Sequence, residues 1–194
     1  MGIGKIDLSE AKSIAVAILE HISPAMDRIE IAGSVRRKKP VVGDIELVGI
    51  PADRAKMIRL LSDIGQHIKP SVPGAVPWLP KENAKYLRLR LPQEINLDLF
   101  CGTRDNWGGL FLMRTGSGVD QSGNTFNGFT PGMFGRWKKV SGGGRMTECM
   151  PTTKDGEQIP LHEEQDFFDL LGLDFILPEA RTSKHVIKRY VRSA

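Results

Sequence analysis

The chain has 194 residues, of which 40% are hydrophobic and 26% are charged. This composition fits a globular protein that can bury a core, and it excludes a disordered tail or a fibre. The 27 Lys and Arg residues outnumber the 23 Asp and Glu residues, a mild basic excess that favours an anionic partner only where it is clustered on one face. The sequence has no apolar signal core and no apolar run of about 18 residues, so we expect a cytoplasmic protein with no membrane partner.

The N-terminal part of the chain is predicted to alternate helices with strands. Asp7 followed by Glu10 resembles a capping box, and apolar positions at helical spacing continue from it. The segments expected here, in chain order, are a helix over 8–22, a strand over 28–32, a basic loop over 33–43, a strand over 44–50 and a helix from Pro51 to Gly65.

A β-hairpin is predicted in the middle of the chain. Residues 86–91 alternate Tyr, Leu, Arg, Leu, Arg, Leu, and residues 95–100 alternate again after a short turn. The leucines of both strands are expected to face the core, which sends Asp98 to the opposite face. The preceding segment, 70–83, is rich in proline and is predicted to be a surface loop.

Composition changes after Thr115, and we place a domain boundary there, between residues 1–115 and residues 116–194. A short helix over 107–113 is expected before the boundary. The segments predicted after it are a hinge or mobile loop over 116–132, a basic hairpin with strands 134–140 and 145–150, a turn around Asp155, and a helix over 163–171 closed by Gly172.

Two carboxylates point to metal chemistry. Asp44 and Glu46 stand two residues apart on a predicted strand, so both point from the same face and can share a divalent ion. A solvent-facing strand is the simpler explanation of such a pair. Asp98 adds a third carboxylate on another predicted strand of the same lobe, and three carboxylates on adjacent strands repel one another unless cations lie between them.

A glycine-serine turn followed by cations points to phosphate. Gly33 allows close backbone approach, Ser34 offers hydrogen-bond donors, and Arg36 and Arg37 can contact phosphate oxygens in bidentate fashion. An ordinary surface turn is the alternative. The sequence is not a Walker loop, because no G-x-x-x-x-G-K-[ST] occurs.

These motifs together resemble a known family. Gly33-Ser34-Val35-Arg36-Arg37, with Gly43-Asp44-Ile45-Glu46 after a short spacer, resembles the G-S-x-R-R and G-D-x-D signature of the family X DNA polymerases, the polymerase beta group of nucleotidyltransferases. Asp98 stands where the third carboxylate of that family falls. Residues 112–117 look like its Y-F-T-G-S segment, and residues 163–181 are similar to its thumb ending, so the resemblance covers nearly all of the chain.

The resemblance implies an α+β fold, with a nucleotidyltransferase palm of mixed sheet and helices over 1–115 and a small α/β thumb with a basic C-terminal tail over 116–194. We expect palm and thumb alone, as in the smallest viral members of the family. It implies that Asp44, Glu46 and Asp98 are catalytic and hold two Mg²⁺ ions, with Mn²⁺ as a substitute. The nucleotide-binding residues that it implies are Gly33, Ser34, Arg37, Gly43, Thr115 and Gly116.

The implied activity is that of a DNA-directed DNA polymerase, which adds dNTPs to a primer 3′-hydroxyl in gap-filling repair synthesis. The partners would be primer-template or gapped DNA and a dNTP, and we expect a monomer. The DNA contacts expected in the thumb are Arg136, Lys138 and Lys139. Trp137 either joins them or packs in its hairpin, and the basic C-terminal run is a further DNA contact, a solvated helix end or an unfolded tail.

Several positions depart from the family pattern. The second carboxylate is Glu46 rather than Asp, Met113 and Arg114 hold the two aromatic positions, and Asn96 replaces an arginine that often stands two residues before the third carboxylate. Glu46 and the two altered aromatic positions favour an alternative function, a nucleotidyltransferase that acts without a DNA template on an RNA end, a protein or a small molecule. The thumb-like second lobe and the basic clusters disfavour it. A non-catalytic DNA-binding module is a third hypothesis.

Overall fold

The computed structural model describes residues 4–70, 72 and 76–193. The fold is α+β, and the chain divides into two compact units, one up to Gly102 and one from Thr103. This division falls before the boundary expected after Thr115. The helix that ends at Thr115 packs within the second unit, where the backbone of Glu163 lies against Gly108 too closely for a Cβ. None of the described helices is long and apolar enough to cross a membrane.

The first unit is built on a five-stranded mixed sheet with helices against one face. Its elements in chain order are β1 (Ile6–Asp7), α1 (Leu8–Ile22), β2 (Met26–Ile31), α2 (Gly33–Arg36), β3 (Val41–Val42), β4 (Asp44–Pro51), α3 (Arg54–Ile64), β5 (Gln66–Ile68), β6 (Tyr86–Arg90) and β7 (Asn96–Cys101). The strand order is β2-β4-β7-β6-β5, in which β4 and β7 run parallel and the other neighbours run antiparallel. β1 and β3 form a separate antiparallel pair.

One face of this sheet is apolar and packs against α1 and α3. The alternation predicted for the two hairpin strands is confirmed, because the leucines of β6 and β7 are fully buried in this core, where two aliphatic residues of β4 join them. The buried residues are Ile45 and Leu47 of β4, Leu87 and Leu89 of β6, Leu97 and Leu99 of β7, Ala11, Ala15, Ile18 and Ile22 of α1, and Met57 and Leu61 of α3. The opposite face carries Asp44, Glu46 and Asp98 together with buried Val48 and Phe100.

The predicted helix over 8–22 is confirmed, and Asp7 caps it by accepting a hydrogen bond from the Glu10 N–H at 2.9 Å. Two neighbouring predictions were wrong. Residues 33–43 are not all loop, since they form α2 and β3. Pro51 ends β4 instead of beginning a helix, because the Asp53 carboxylate accepts from the Lys56 N–H at 2.8 Å and starts α3 at Arg54.

The second unit packs short helices around a small hairpin. Its elements are α4 (Trp107–Thr115), α5 (Phe129–Val140), β8 (Arg145–Thr147), β9 (Met150–Thr152), α6 (Glu164–Leu170) and α7 (Lys184–Ile187). The predicted helix over 163–171 and its closure at Gly172 are confirmed, with Glu163 and Asp166 forming a capping box and Gly172 at φ +63°.

The basic hairpin over 134–150 was predicted wrongly. Phe129, Met133 and Trp137 recur at intervals of four and are buried, so the segment is the amphipathic helix α5, and its first turn includes residues expected in a loop. Trp137 packs in the core and donates to the Thr152 carbonyl at 3.2 Å. The hairpin is instead β8 with β9, turning at Glu148 and Cys149, both at positive φ.

A buried ion pair holds the C-terminal part of the second unit together. Arg181 is fully buried, and its guanidinium contacts Glu164 at 2.6 Å and donates to the Ile176 carbonyl at 2.8 Å. Over 182–193, the basic tail is folded, because Ile187 is buried and Arg192 pairs with Asp169 at 2.7 Å and with Asp174 at 3.1 Å. An unfolded tail is therefore excluded for these residues.

Candidate active site

The three predicted carboxylates lie on one face of two adjoining strands. β4 and β7 are parallel neighbours, with Asp44 opposite Asn96 and Glu46 opposite Asp98. Because the aliphatic residues between them fill the apolar core, Asp44, Glu46 and Asp98 all belong to the polar face. Asp98 is 3% exposed, and the other two are half-buried. The structure therefore brings Asp98 to the same sheet face as Asp44 and Glu46, from which it is far apart in sequence.

Asp98 is held by the neighbouring strand β6. The Arg88 guanidinium donates from Nε to Oδ1 and from Nη2 to Oδ2, both at 2.6 Å, and the Tyr86 hydroxyl donates to Oδ1 at 2.9 Å. The Tyr86 ring is stacked on Phe100 with centroids 4.8 Å apart. Arg88 and Tyr86 are site residues that sequence reasoning missed. The alternation of residues 86–91 placed both on the polar face, and the hairpin register would have set Arg88 opposite Asp98.

Charge repulsion and burial act on Asp44. Desolvation and the neighbouring Asp98 carboxylate raise the pKa of Asp44, against the opposing influence of the Arg88 and Arg37 guanidinium groups. The hydrogen bonds to Asp98 raise the pKa of Arg88, so this guanidinium stays charged. The polar face is therefore a site where an additional cation is electrostatically favoured.

The glycine-serine turn lies directly against this face. Gly33 is at φ +60°, and a Cβ there would collide with the Glu46 carboxylate, so only glycine fits. The Ala32 N–H donates to the Glu46 carbonyl at 2.8 Å, which ties the start of α2 to β4. The turn thus packs Gly33 against Glu46, and it buries a Ser34 hydroxyl group that is left without a hydrogen-bond partner among the described residues.

Gly43 precedes Asp44 at the start of β4. A Cβ built on it meets nothing within 4 Å, so packing does not require glycine at this position. Its assignment to nucleotide binding stays a prediction.

Thr115 and Gly116 belong to the second unit, at the end of α4. Thr115 is fully buried, and a Cβ on Gly116 would collide with the Thr130 hydroxyl group. The Gly116 N–H donates to the Leu112 carbonyl at 2.7 Å, and the Ser117 N–H donates to the Arg181 carbonyl at 3.2 Å. This segment is thus tightly packed within its own unit, and its predicted role against the nucleotide sugar stays a prediction.

The predicted DNA contacts fall into two groups. Arg136 donates from Nε to the Leu171 carbonyl at 2.9 Å and so supports the end of α6. Lys138 and Lys139 are exposed in the last turn of α5. Lys138 also lines a groove of about 550 Å³ between α5 and the hairpin, together with Gly135 and the exposed Arg145. Sequence reasoning missed the groove because it took α5 for a strand.

The donor set suits hard divalent cations, which prefer carboxylate oxygens. In the described ranges, no three His, Cys, Asp or Glu side chains converge closely enough to hold an ion as they stand. Asp98 instead turns both of its oxygens toward Arg88. The chemistry of the three carboxylates therefore fits Mg²⁺ or Mn²⁺, whereas their present orientation does not close a cluster.

Comparisons with known proteins do not assign the chain to a family. Models of protein families give no match to the chain, and curated protein sequences give no significant match either. The class that the structure supports by itself is an α+β protein with an acidic site on one face of its mixed sheet.

Proposed function

We propose that the protein is a nucleotidyltransferase of the family X DNA polymerase type, which adds dNTPs to the 3′-hydroxyl of a DNA primer. The observation that carries this proposal is the close packing of Gly33 against Glu46, one of three carboxylates on the same sheet face. A phosphate site beside a metal-binding carboxylate set is what transfer of a nucleotidyl group requires. The resemblance of these segments to that family supplies the particular reaction.

The residues of the site divide the reaction between them. Asp98 accepts the proton of the primer 3′-hydroxyl, whose oxygen bonds to the α-phosphorus as the bond to the bridging oxygen breaks and pyrophosphate leaves. Ser34 and Arg37 contact the departing phosphates. Two Mg²⁺ ions, or Mn²⁺ in their place, would be held by Asp44, Glu46 and Asp98, and when bound they lower the pKa of the hydroxyl and neutralise the phosphate charge.

For the DNA partner we propose the groove of the second unit. Lys138 and Arg145 flank it, and neither makes an ion pair with any described residue. Unpaired cations beside a groove suit the phosphates of a nucleic acid strand. Gly135 also lines the groove, and because a Cβ there would meet nothing within 4 Å, a nucleic acid strand can come close to the backbone of α5.

Primer extension tests the proposed activity. Gapped DNA, primer-template and primer alone are each offered to the protein with every dNTP and NTP, in Mg²⁺ and in Mn²⁺. The unaltered chain is expected to extend the templated primer. Asp44→Asn and Asp98→Asn should each lower the rate by at least about 100-fold, because each removes a carboxylate that would hold the metal ions of the reaction.

The control is Asp63→Asn, an exposed carboxylate on α3, which should extend at the normal rate. Near-normal extension by either site variant would show that the carboxylate assignment is wrong. Extension of primer alone, or of an RNA end, would favour the untemplated nucleotidyltransferase over the DNA polymerase. Metal-independent DNA binding with no release of pyrophosphate would favour the non-catalytic module.

A further inference from the structure

The hydrogen bonds around Asp98 limit what this carboxylate can still bind. A carboxylate has two oxygens and about four lone-pair positions. Oδ1 accepts from both Tyr86 and Arg88, and Oδ2 accepts a second bond from Arg88. Three of the positions are thus taken, and one, on Oδ2, is left.

Arg88 supplies the charge that a buried carboxylate needs. An ionised carboxylate that is almost fully buried is costly unless it is paired and hydrogen-bonded. The bidentate contact with Arg88 satisfies both requirements, and the strand register sets the two residues directly opposite one another. The Arg88 side chain is 25% exposed against 4% for Asp98, so the guanidinium has a path toward solvent that Asp98 lacks.

We propose that Arg88 is an internal counterion of Asp98, and that a divalent ion must displace its guanidinium from Asp98 before this carboxylate can serve fully as a metal ligand. Arg88 makes this bidentate contact with Asp98 and not with Asp44, so Asp44 would bind the first ion. This inference rests on the metal site of the proposed function. The contact of Arg88 with Asp98 explains why the three carboxylates lie on one sheet face but form no metal-binding cluster among the described residues.

Binding of Mn²⁺ alone tests the proposal, without DNA or nucleotide. Arg88→Gln is compared with Arg90→Gln, which removes the same charge from the same face of the same strand. Arg90 donates to the Glu94 carbonyl and does not contact Asp98, so it is a matched control. Titration followed by electron paramagnetic resonance of free Mn²⁺ gives the affinities. Arg88→Gln should bind Mn²⁺ roughly fivefold or more tightly than the unaltered chain, the usual lower range for two linked equilibria. Arg90→Gln should stay closer to the unaltered value.

The gain in Tm on addition of Mn²⁺ is a second measurement, and a purely structural role of Arg88 would not change this gain. Metal-free Arg88→Gln should melt at a lower temperature because Asp98 is left uncompensated, and Mn²⁺ should raise its Tm by more than it raises that of the unaltered chain. If Arg88→Gln does not fold, Arg88→Lys keeps the charge but loses the bidentate contact, and its affinity for Mn²⁺ should exceed that of the unaltered chain.

The proposal is overturned if the variant that folds binds Mn²⁺ no more tightly than the unaltered chain, or if neither binds it at all. These outcomes are separate from those of the primer-extension assay. If Arg88→Gln binds Mn²⁺ more tightly but the unaltered chain transfers no nucleotide, the counterion proposal stands and the proposed reaction is wrong. If the unaltered chain extends primers but Arg88→Gln binds Mn²⁺ with unchanged affinity, the proposed reaction stands and the counterion proposal is wrong.

Discussion

At the scale of single residues, Asp44 is the side chain whose ionisation works against the metal-free fold. Its pKa is raised by burial and by the Asp98 carboxylate, so the folded chain holds the Asp44 proton more tightly than the unfolded chain does. A raised carboxyl pKa contributes stability below the unfolded pKa, and that contribution is lost as the pH rises through the folded pKa. At neutral pH the ionised Asp44 carboxylate therefore lowers the stability of the fold unless a cation binds beside it.

Asp44→Asn is accordingly expected to raise the Tm of the metal-free protein at pH 7, although it strongly lowers the proposed activity. The advantage over the unaltered chain should shrink as the pH falls and Asp44 becomes protonated, and it should also shrink when Mg²⁺ is added to the unaltered chain. Thermal unfolding at a series of pH values measures this. A variant that is less stable at pH 7 would show that the Arg88 and Arg37 attractions outweigh burial and repulsion.

At the scale of elements, helix α5 contains two interior glycines in opposite surroundings. A Cβ on Gly132 would collide with Lys184 and Ile187 of α7, so this glycine is needed for the two helices to pack. A Cβ on Gly135 would meet nothing within 4 Å. Because glycine weakens a helix interior, packing alone gives no reason for Gly135.

Alanine at these two positions should therefore change stability in opposite directions. Gly135→Ala is expected to raise the free energy of unfolding by about 0.5–1 kcal/mol through helix propensity. Gly132→Ala should lower it by about 1–3 kcal/mol through overpacking. Urea unfolding measures both. The added methyl of Gly135→Ala narrows the groove proposed for DNA, so DNA affinity should fall while stability rises, and a fall in both would point to a damaged helix instead.

At the scale of the whole molecule, a net charge of +4 is too small to predict nucleic-acid binding by itself. Many cations are already committed within the fold. Arg88 and Arg181 hold buried carboxylates, Arg136 supports α6, and Arg192 pairs with two aspartates. Other cations stay exposed, and Lys138 and Arg145 are the ones that line the groove.

The double variant Lys138→Gln/Arg145→Gln tests this surface on the full chain. If each cation neutralises one phosphate of duplex DNA, the slope of log affinity against log salt should become shallower by about 1.8. Fluorescence anisotropy over a range of salt concentrations measures the slope. The control Arg104→Gln/Lys154→Gln removes the same charge from exposed positions of the same unit and should leave the slope unchanged. Equal changes in both double variants would show diffuse attraction in place of a site.

Much of the first unit could be predicted from the sequence because its signals are local. Period-two alternation in β4, β6 and β7 identifies the core side of each strand, and the helical spacing after Asp7 identifies α1. The second unit was harder. The glycines of α5 are typical of a loop or a hairpin turn, so the sequence did not indicate a helix. Only the contact of α7 with Gly132 shows why a helix has glycine at this position.

For the site, the sequence alone determined that Asp44, Glu46 and Asp98 carry negative charge on the polar face of their strands. The tertiary structure decided that β4 and β7 are parallel neighbours, that Glu46 stands opposite Asp98, and that Arg88 holds Asp98 from the next strand. The physical reason is that alternation is a local property of a strand. Pairing between distant strands depends instead on the whole arrangement that buries the core, and no single segment encodes it.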